Sequence, residues 1–207
     1  SGYGLTVADE LKSLRVIKRL NEVSKLDIVP TFMGAHAFPP EYEDNHDDYV
    51  DLICSEMIPA VAGEKLAEYC DVFCEKGYFS VEDCRKILTT AQKHGMKVRL
   101  HADEFIDSGA AQLAAELGAV SADHLMAVSD AGIKAMAEKG VIAILLPGTT
   151  LFLGKSNYAK GRKMIDMGCD VALATDFNPG SCTIQSMPLI ISLACLYCGL
   201  SIEEAFI

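Results

Sequence analysis

Short apolar runs alternate with longer segments of helical periodicity along the whole chain. Because these runs are apolar almost throughout, they indicate strands that are buried on both faces. Strands that alternate with helices indicate βαβ units and therefore a parallel sheet. The apolar runs are Asp27–Gly34, Asp71–Glu75, Lys97–Ala102, Ser121–His124, Val141–Pro147 and Asp170–Asp176.

The segments between these runs carry apolar residues at helical spacing. They are Val7–Val23, Asp48–Ala62, Ser80–His94, Ser108–Leu117, Ser129–Lys139 and a segment from Ser156 towards Met167. Ser80 with Asp83, and Ser129, are typical of helix N-termini. Four helices are predicted to end at glycine, the residue that most easily adopts the C-terminal left-handed conformation: Gly95, Gly118, Gly140 and Gly168.

This alternation favours a partial (β/α)8 barrel, an α/β fold in which parallel strands alternate with helices. A doubly wound nucleotide-binding fold has little support, since no Gly-x-Gly-x-x-Gly or P-loop motif follows a strand. We expect residues 1–207 to form a single catalytic-barrel fragment that lacks one or two strands at its N-terminus. A seventh strand is predicted to end at Gly2–Gly4, and both chain ends have the character of truncations.

Composition restricts the partners and the compartment. A formal net charge of −11 argues against nucleic acid and anionic membranes, which require a clustered basic surface. No apolar stretch is long enough to span a membrane, and we expect no secretory leader because the first residues lack a basic segment followed by an apolar one. The eight cysteines mostly lie in apolar patterns, so we expect reduced thiols in a cytoplasmic protein. The Cys195–Cys198 pair lacks the second pair that a zinc site would need.

Polar side chains close several of the predicted strands. His36 follows the first run, His101 and Glu104 the third, His124 the fourth, and Asp176 the last. Each of them, taken singly, is readily explained as an ordinary loop residue. Together they match a barrel, because its active site forms at the C-terminal ends of the strands.

Histidine and aspartate suit one divalent transition metal, zinc or iron, because its preferred ligands are imidazole nitrogen and carboxylate oxygen. Calcium would need more oxygen ligands than are clustered here. Such a metal keeps a position open for water and makes that water a nucleophile. Asp176 could also accept a proton from the water.

The order His101, His124, Asp176 resembles the metal-dependent amidohydrolase superfamily. Within it, six motifs resemble the imidazolonepropionases: Ser1–Leu5 (SGYGL), Thr31–Pro39 (TFMGAHAFP), Leu100–Glu104 (LHADE), Ser121–Leu125 (SADHL), Leu146–Thr149 (LPGT) and Ala174–Ser181 (ATDFNPGS). The resemblance implies hydrolysis of 4-imidazolone-5-propanoate to N-formimidoyl-L-glutamate, a step of histidine degradation.

The resemblance also implies residue roles. His101 and Asp176 are the implied metal ligands, and His124, Glu104 and Asp176 the implied catalytic residues. The implied substrate contacts are Tyr3, His36, Asn178, Gly180 and Ser181. The chain departs from the family pattern in three ways. It lacks the His-x-His pair of the first strand, the small β-sandwich domain and an upstream substrate-binding arginine.

Two alternatives remain open. Another amidohydrolase, such as a nucleobase deaminase, would use the same ligands. The chain could instead be a metal-free barrel lyase or an inactive barrel remnant. A small-molecule substrate and a homodimer of the full-length protein are further expectations.

Overall fold

Six parallel strands alternate with helices in the computed structural model, which describes residues 3–206. The strands are β1 (Thr31–Ala35), β2 (Tyr69–Cys74), β3 (Lys97–Ala102), β4 (Ser121–His124), β5 (Ile142–Leu145) and β6 (Val171–Leu173). They form one sheet in the order β1-β2-β3-β4-β5-β6, which is also their order along the chain. This confirms the predicted parallel α/β architecture.

The predicted helices are present, with three short additions: one directly after β5 and two at the end of the chain. They are α1 (Val7–Val23), α2 (His46–Leu52), α3 (Ile58–Gly63), α4 (Val81–Lys93), α5 (Ala110–Leu117), α6 (Asp130–Lys139), α7 (Pro147–Phe152), α8 (Gly161–Asp166), α9 (Met187–Leu193) and α10 (Ile202–Phe206). A 3-10 turn covers Pro40–Tyr42, and π-helical segments cover Ile53–Met57 and Ala194–Cys198. No helix within residues 3–206 combines the length and apolarity needed to cross a membrane.

Two expectations from the sequence need correction. The seventh strand falls partly on Gly2, which lies outside the described residues, and the described Tyr3 and Gly4 are not in a strand. Three strands are shorter than their predicted runs: β1 begins only at Thr31, β6 ends at Leu173, and β5 ends at Leu145 because Pro147 begins α7. Proline lacks an N–H to donate to a strand partner, whereas the first turn of a helix needs none there.

Residues 3–99 form one compact unit. Within it, β1 and β2 pair in parallel, with Thr31 opposite Tyr69 and Phe32 opposite Cys70. Large side chains fill its core, and the largest fully buried ones are Phe32, Tyr49, Ile53, Met57, Ile58, Phe79, Ile87 and Leu88. This unit is therefore built on a conventional apolar core.

Residues 100–206 form a second compact unit. Within it, β4 pairs in parallel with β5, and β5 pairs in parallel with β6. The residues of β4 are all buried, whereas those of β6 are partly exposed. Its largest fully buried side chains are Leu100, Leu113, Leu125 and Ile133.

The strand β1 contains an irregularity next to its end. The register with β2 shifts between Phe32 and Ala35, so the strand bends there. The Tyr49 hydroxyl donates a hydrogen bond of 3.0 Å to the carbonyl oxygen of Gly34, which satisfies this polar group in the irregular segment. A Cβ at Gly34 would come within 2.6 Å of the Phe32 ring, so glycine is required for the bend.

The helical segment from α2 to α3 confirms the predicted helix over Asp48–Ala62, but its middle turn is π-helical. Four of its buried apolar residues stand four positions apart, at Tyr49, Ile53, Met57 and Val61. Pro59 lacks the N–H of an ordinary helical residue, and a wide turn accommodates that loss.

The N-terminus of α4 carries the predicted cap in full. The Ser80 hydroxyl accepts from the backbone N–H of Asp83 at 3.2 Å, and the Asp83 carboxylate accepts from the backbone N–H of Ser80 at 3.0 Å. This reciprocal pair satisfies two N–H groups that the helix itself leaves without partners.

We predict that Ser80→Ala lowers the free energy of unfolding by about 1 kcal/mol, the usual cost of losing an N-cap. Ser55→Ala is the matched control, because the Ser55 hydroxyl only donates to the carbonyl oxygen of Asp51 inside a helix. Urea unfolding of both variants measures the difference. Equal unfolding midpoints would show that the cap contributes nothing.

Candidate active site

In the first unit, the buried side chain of His36 follows the irregular end of β1. Its Nδ1 lies 3.0 Å from the carbonyl oxygen of Met33, and its Nε2 lies 3.3 Å from Oδ1 of Asp71. Both ring nitrogens thus face an oxygen acceptor. A doubly protonated imidazole can donate to both of these oxygens at once.

Tyr3 lies beside His36. The two ring centroids are 5.2 Å apart, with an angle of 32° between the ring planes. About half of the Tyr3 side chain is exposed, whereas His36 is buried. Tyr3 and His36, two of the predicted substrate contacts, are therefore neighbours in the structure. Tyr3 is partly exposed to solvent, and His36 is buried.

Sequence reasoning missed Asp71, which lies inside β2 and is buried. Besides His36, its carboxylate faces the guanidinium of Arg99, whose Nε lies 4.0 Å from Oδ2 of Asp71. A buried carboxylate usually needs such partners, because burial without them is costly. An aspartate inside the otherwise apolar run Tyr69–Cys74 was the available signal.

In the second unit, three predicted site residues lie together. The ring centroids of His101 and His124 are 5.1 Å apart. Nδ1 of His124 lies 3.8 Å from Oε1 of Glu104, within the range of an ion pair when the imidazole is protonated. Both His124 and Glu104 are buried. His101, the implied metal ligand, therefore adjoins two of the implied catalytic residues, His124 and Glu104.

A buried carboxylate shapes the loop that carries Glu104. Asp103 accepts hydrogen bonds from the backbone N–H groups of Ser108, Ala110 and Ala111, at 2.9 to 3.1 Å, and from the Ser108 hydroxyl at 2.9 Å. These bonds close the loop onto the start of α5. The backbone carbonyl oxygen of Asp103 accepts a hydrogen bond of 2.8 Å from the N–H of Ala127, which joins this loop to the loop after β4.

Left-handed backbone conformations occur where strands of the second unit end. Asp103, His124, Leu125 and Asp176 have φ values of 49°, 75°, 60° and 52°. Such conformations are unfavourable for residues other than glycine, and they concentrate at functional sites. All four of these residues are predicted site residues or lie directly beside one.

Asp176 follows β6 and is held by a residue of α7. The Thr149 hydroxyl donates to Oδ2 of Asp176 at 2.5 Å, and Thr149 is completely buried. The sequence did not predict α7 and therefore did not identify Thr149. The motif Leu146–Thr149 contained the signal, since it resembles the family pattern at the position that supplies this hydroxyl.

Asn178 organises the loop after Asp176. Its Oδ1 accepts from the backbone N–H of Gly180 at 2.9 Å and of Ser181 at 2.7 Å. Its Nδ2 donates to the carbonyl oxygen of Asp176 at 2.7 Å and to the Ser181 hydroxyl at 3.0 Å. The side chain thus shapes the loop that carries the predicted substrate contacts, and direct contact between Asn178 and a substrate stays a prediction.

Gly180 is exposed and does not have a positive φ. A Cβ at this position would meet only Oδ1 of Asn178, at 3.4 Å, which is an ordinary contact. Neither the backbone conformation nor the packing of the described residues therefore requires glycine here. Close approach of a ligand to this backbone stays a prediction.

Side chains with metal-binding chemistry stand on the first three strands or directly after them: His36 after β1, Asp71 within β2 and His101 within β3. Asp176 adds a carboxylate after β6. Imidazole and carboxylate donors fit a divalent transition metal such as zinc or iron.

Thiols are poor candidates for ligands in this chain. All eight cysteines are free. In the Cys195–Cys198 pair, burial raises the pKa of the Cys198 thiol to about 11, which keeps it protonated near neutral pH. A metal or redox role for this pair has no support from the structure.

The chain is similar to curated imidazolonepropionases over nearly all of its length. It is 58% identical over 205 residues to the imidazolonepropionase of Clostridium tetani and 56% identical over 207 residues to that of Bacteroides fragilis. In both comparisons 99% of this chain is covered, and the chain spans about half the length of these relatives. No protein-family model matches.

Solved structures share the fold at low sequence identity. A guanine deaminase from C. acetobutylicum with bound guanine has a TM-score of 0.73 at 15% identity, covering 98% of this chain and 54% of its own. An adenosine deaminase from Xanthomonas campestris with bound zinc has a TM-score of 0.67 at 18% identity, covering 96% of this chain and 45% of its own. The described residues therefore share the fold of about half of each of these enzymes, which confirms the expected partial (β/α)8 barrel.

We predict that Asn178→Ala loosens the loop after β6 without unfolding the second unit, because it removes the hydrogen bonds that close the loop. Amide hydrogen exchange should become faster at Gly180 and Ser181. Asn157→Ala is the control, since its Nδ2 donates to the carbonyl oxygen of Met126 elsewhere in the same unit. Unchanged exchange at Gly180 and Ser181 would contradict this account of the loop.

Proposed function

We propose that this chain, a homologue of the imidazolonepropionases over 99% of its length, contributes catalytic residues to a metal-dependent hydrolase that opens a cyclic amide. The proposed reaction converts 4-imidazolone-5-propanoate to N-formimidoyl-L-glutamate in histidine degradation. The observation that carries the proposal is the grouping of His101, His124 and Glu104 at the ends of two strands of one parallel sheet. This chemistry requires a hydrogen-bond donor beside the carbonyl oxygen that becomes negatively charged.

The proposed reaction adds water to the ring carbonyl carbon and breaks the bond from that carbon to the ring nitrogen. The carbonyl oxygen becomes negatively charged as water adds, and the departing nitrogen needs a proton. His124, paired with Glu104, can donate a hydrogen bond to the developing oxyanion. Asp176 can take the proton from the attacking water and pass it to the nitrogen.

In this proposal His101 and Asp176 hold one divalent metal, zinc or iron. When bound, the metal supplies Lewis acidity and lowers the pKa of water towards ~7. Thr149 orients the Asp176 carboxylate through its hydroxyl, so one oxygen of that carboxylate is fixed before any ligand arrives. In metal sites, a side chain that hydrogen-bonds to a ligand residue fixes the orientation of that ligand and tunes the metal.

Substrate recognition is proposed to involve two groups of residues. Tyr3 and His36 form the first, in which the imidazole can carry the positive charge that meets the propanoate carboxylate. The loop Asn178–Ser181 forms the second, and Asn178 holds the backbone of Gly180 and Ser181 in place. The proposed setting is the cytoplasm, with a small-molecule substrate and a homodimeric full-length protein.

We predict that His101→Ala and Asp176→Ala each greatly reduce the metal content of the purified full-length protein, because each removes a proposed ligand. His94→Ala should leave it unchanged, since His94 is an exposed residue at the end of α4 whose Nδ1 faces the carbonyl oxygen of Thr90. Elemental analysis of the three variants measures this. Full metal content in His101→Ala would remove His101 from the ligand set.

We predict that His124→Ala lowers kcat for imidazolone propanoate by about a hundredfold or more, the usual cost of removing a hydrogen-bond donor to an oxyanion. Its metal content and its binding of an unreactive substrate analogue should stay close to those of the unsubstituted protein. Steady-state kinetics and elemental analysis test this together. Turnover of a nucleobase in place of imidazolone propanoate would support a deaminase, and inactivity towards both would support a barrel remnant.

A further inference from the structure

Glu10 is a buried carboxylate in α1 that no step of the proposed reaction uses. Its Oε1 accepts from the backbone N–H of Gly4 at 2.7 Å and from that of Leu5 at 2.9 Å. The side chain is buried, whereas its neighbour Asp9 is exposed and only pairs with Thr6 at the start of the helix. Hydrogen bonds to an ionised acceptor are stronger than bonds between neutral groups.

The segment that Glu10 holds is a tight turn. Leu5 has a left-handed φ of 58°, which is unfavourable for a residue with a side chain. A Cβ at Gly4 would lie 2.7 Å from the backbone carbon of Asp9 and 2.7 Å from the backbone nitrogen of Glu10. The turn is therefore pressed against the backbone of α1, and glycine is the residue that permits this approach.

The turn ends at Tyr3, whose ring lies 5.2 Å from that of His36. The carboxylate of Glu10 is also close enough to Tyr49 to affect the pKa of the Tyr49 phenol. Burial raises the pKa of the Tyr49 phenol, and the negative charge of Glu10 raises it further. Tyr49 in turn donates to the carbonyl oxygen of Gly34, two residues before His36.

We propose that Glu10 is a positioning residue for substrate recognition, whose carboxylate fixes the turn at Gly4 and Leu5 and thereby holds the Tyr3 ring beside His36. The inference rests on the proposed function, in which Tyr3 and His36 contact the substrate. Glu10 acts before the chemical step, by ordering a contact that the substrate would otherwise have to order when it binds.

The test uses the full-length protein and four variants: Glu10→Ala, Glu10→Gln, Asp9→Ala and Tyr3→Ala. Glu10→Ala should raise the KM for imidazolone propanoate about fivefold to tenfold with little change in kcat, the signature of lost binding that is equal in ground and transition states. Glu10→Gln keeps an acceptor oxygen and should recover most of the loss. Asp9→Ala should behave like the unsubstituted protein.

Two further measurements separate positioning from a general loss of structure. Hydrogen exchange at the amides of Gly4 and Leu5 should become faster in Glu10→Ala, while metal content stays unchanged. Glu10→Ala combined with Tyr3→Ala should have the KM of Tyr3→Ala alone, because the two substitutions remove the same contact.

Additive effects of the two substitutions, or faster exchange without a change in KM, would overturn the proposal. If kcat fell by the same factor as KM rose, the proposal would also be overturned, because that result would indicate damage to the catalytic residues. If the unsubstituted full-length protein does not open imidazolone propanoate, the proposed function itself fails, and the role of Glu10 fails with it.

Discussion

The hydrogen bonding of the buried Asp103 carboxylate is the interaction on which the candidate site of the second unit depends. Asp103 lies between His101 and Glu104 in sequence, and its four hydrogen bonds fix the loop from which Glu104 projects. Two of its donors, the N–H groups of Ala110 and Ala111, belong to the first turn of α5, where the helix offers no acceptor. One side chain therefore starts a helix, closes a loop and sets the position of a catalytic candidate.

The backbone strain in this region follows from the same constraint. Asp103, His124 and Leu125 all have left-handed conformations, each of which costs on the order of 1–3 kcal/mol. Hydrogen bonds offset this cost: Leu125 donates to the carbonyl oxygen of Ala102, and Ala127 donates to that of Asp103. The two loops hold each other, so the imidazole of His124 is fixed beside Glu104 before any ligand arrives.

The sequence predicted the regular elements well because their signals are local. The cap at Ser80 and the strand Lys97–Ala102 depend on a few neighbouring residues, and both predictions are confirmed. Residues at strand ends, such as His101 and His124, could be chosen as site candidates because the C-terminal ends of parallel strands lie at the same edge of the sheet. Asp71 and Thr149 could not be assigned roles, because their partners are distant in sequence. Asn178 shows a further limit of prediction from sequence. Its residue type indicated that the side chain forms hydrogen bonds, but not that its partners are backbone groups of its own loop.

The π-helical turn at Ile53–Met57 has a consequence for how this segment can vary. Buried residues spaced four apart drift by about 40° per step around an α-helix, so Tyr49 and Val61 would end on faces roughly 120° apart. The wide turn absorbs this drift and keeps both in the core. Deleting one residue within the wide turn would leave a regular α-helix in which Tyr49 and Val61 are eleven positions apart, so their side chains would lie within about 20° of the same face. The segment could therefore lose one residue in this turn without moving its core residues, whereas a further insertion would rotate the following turn by about 100°.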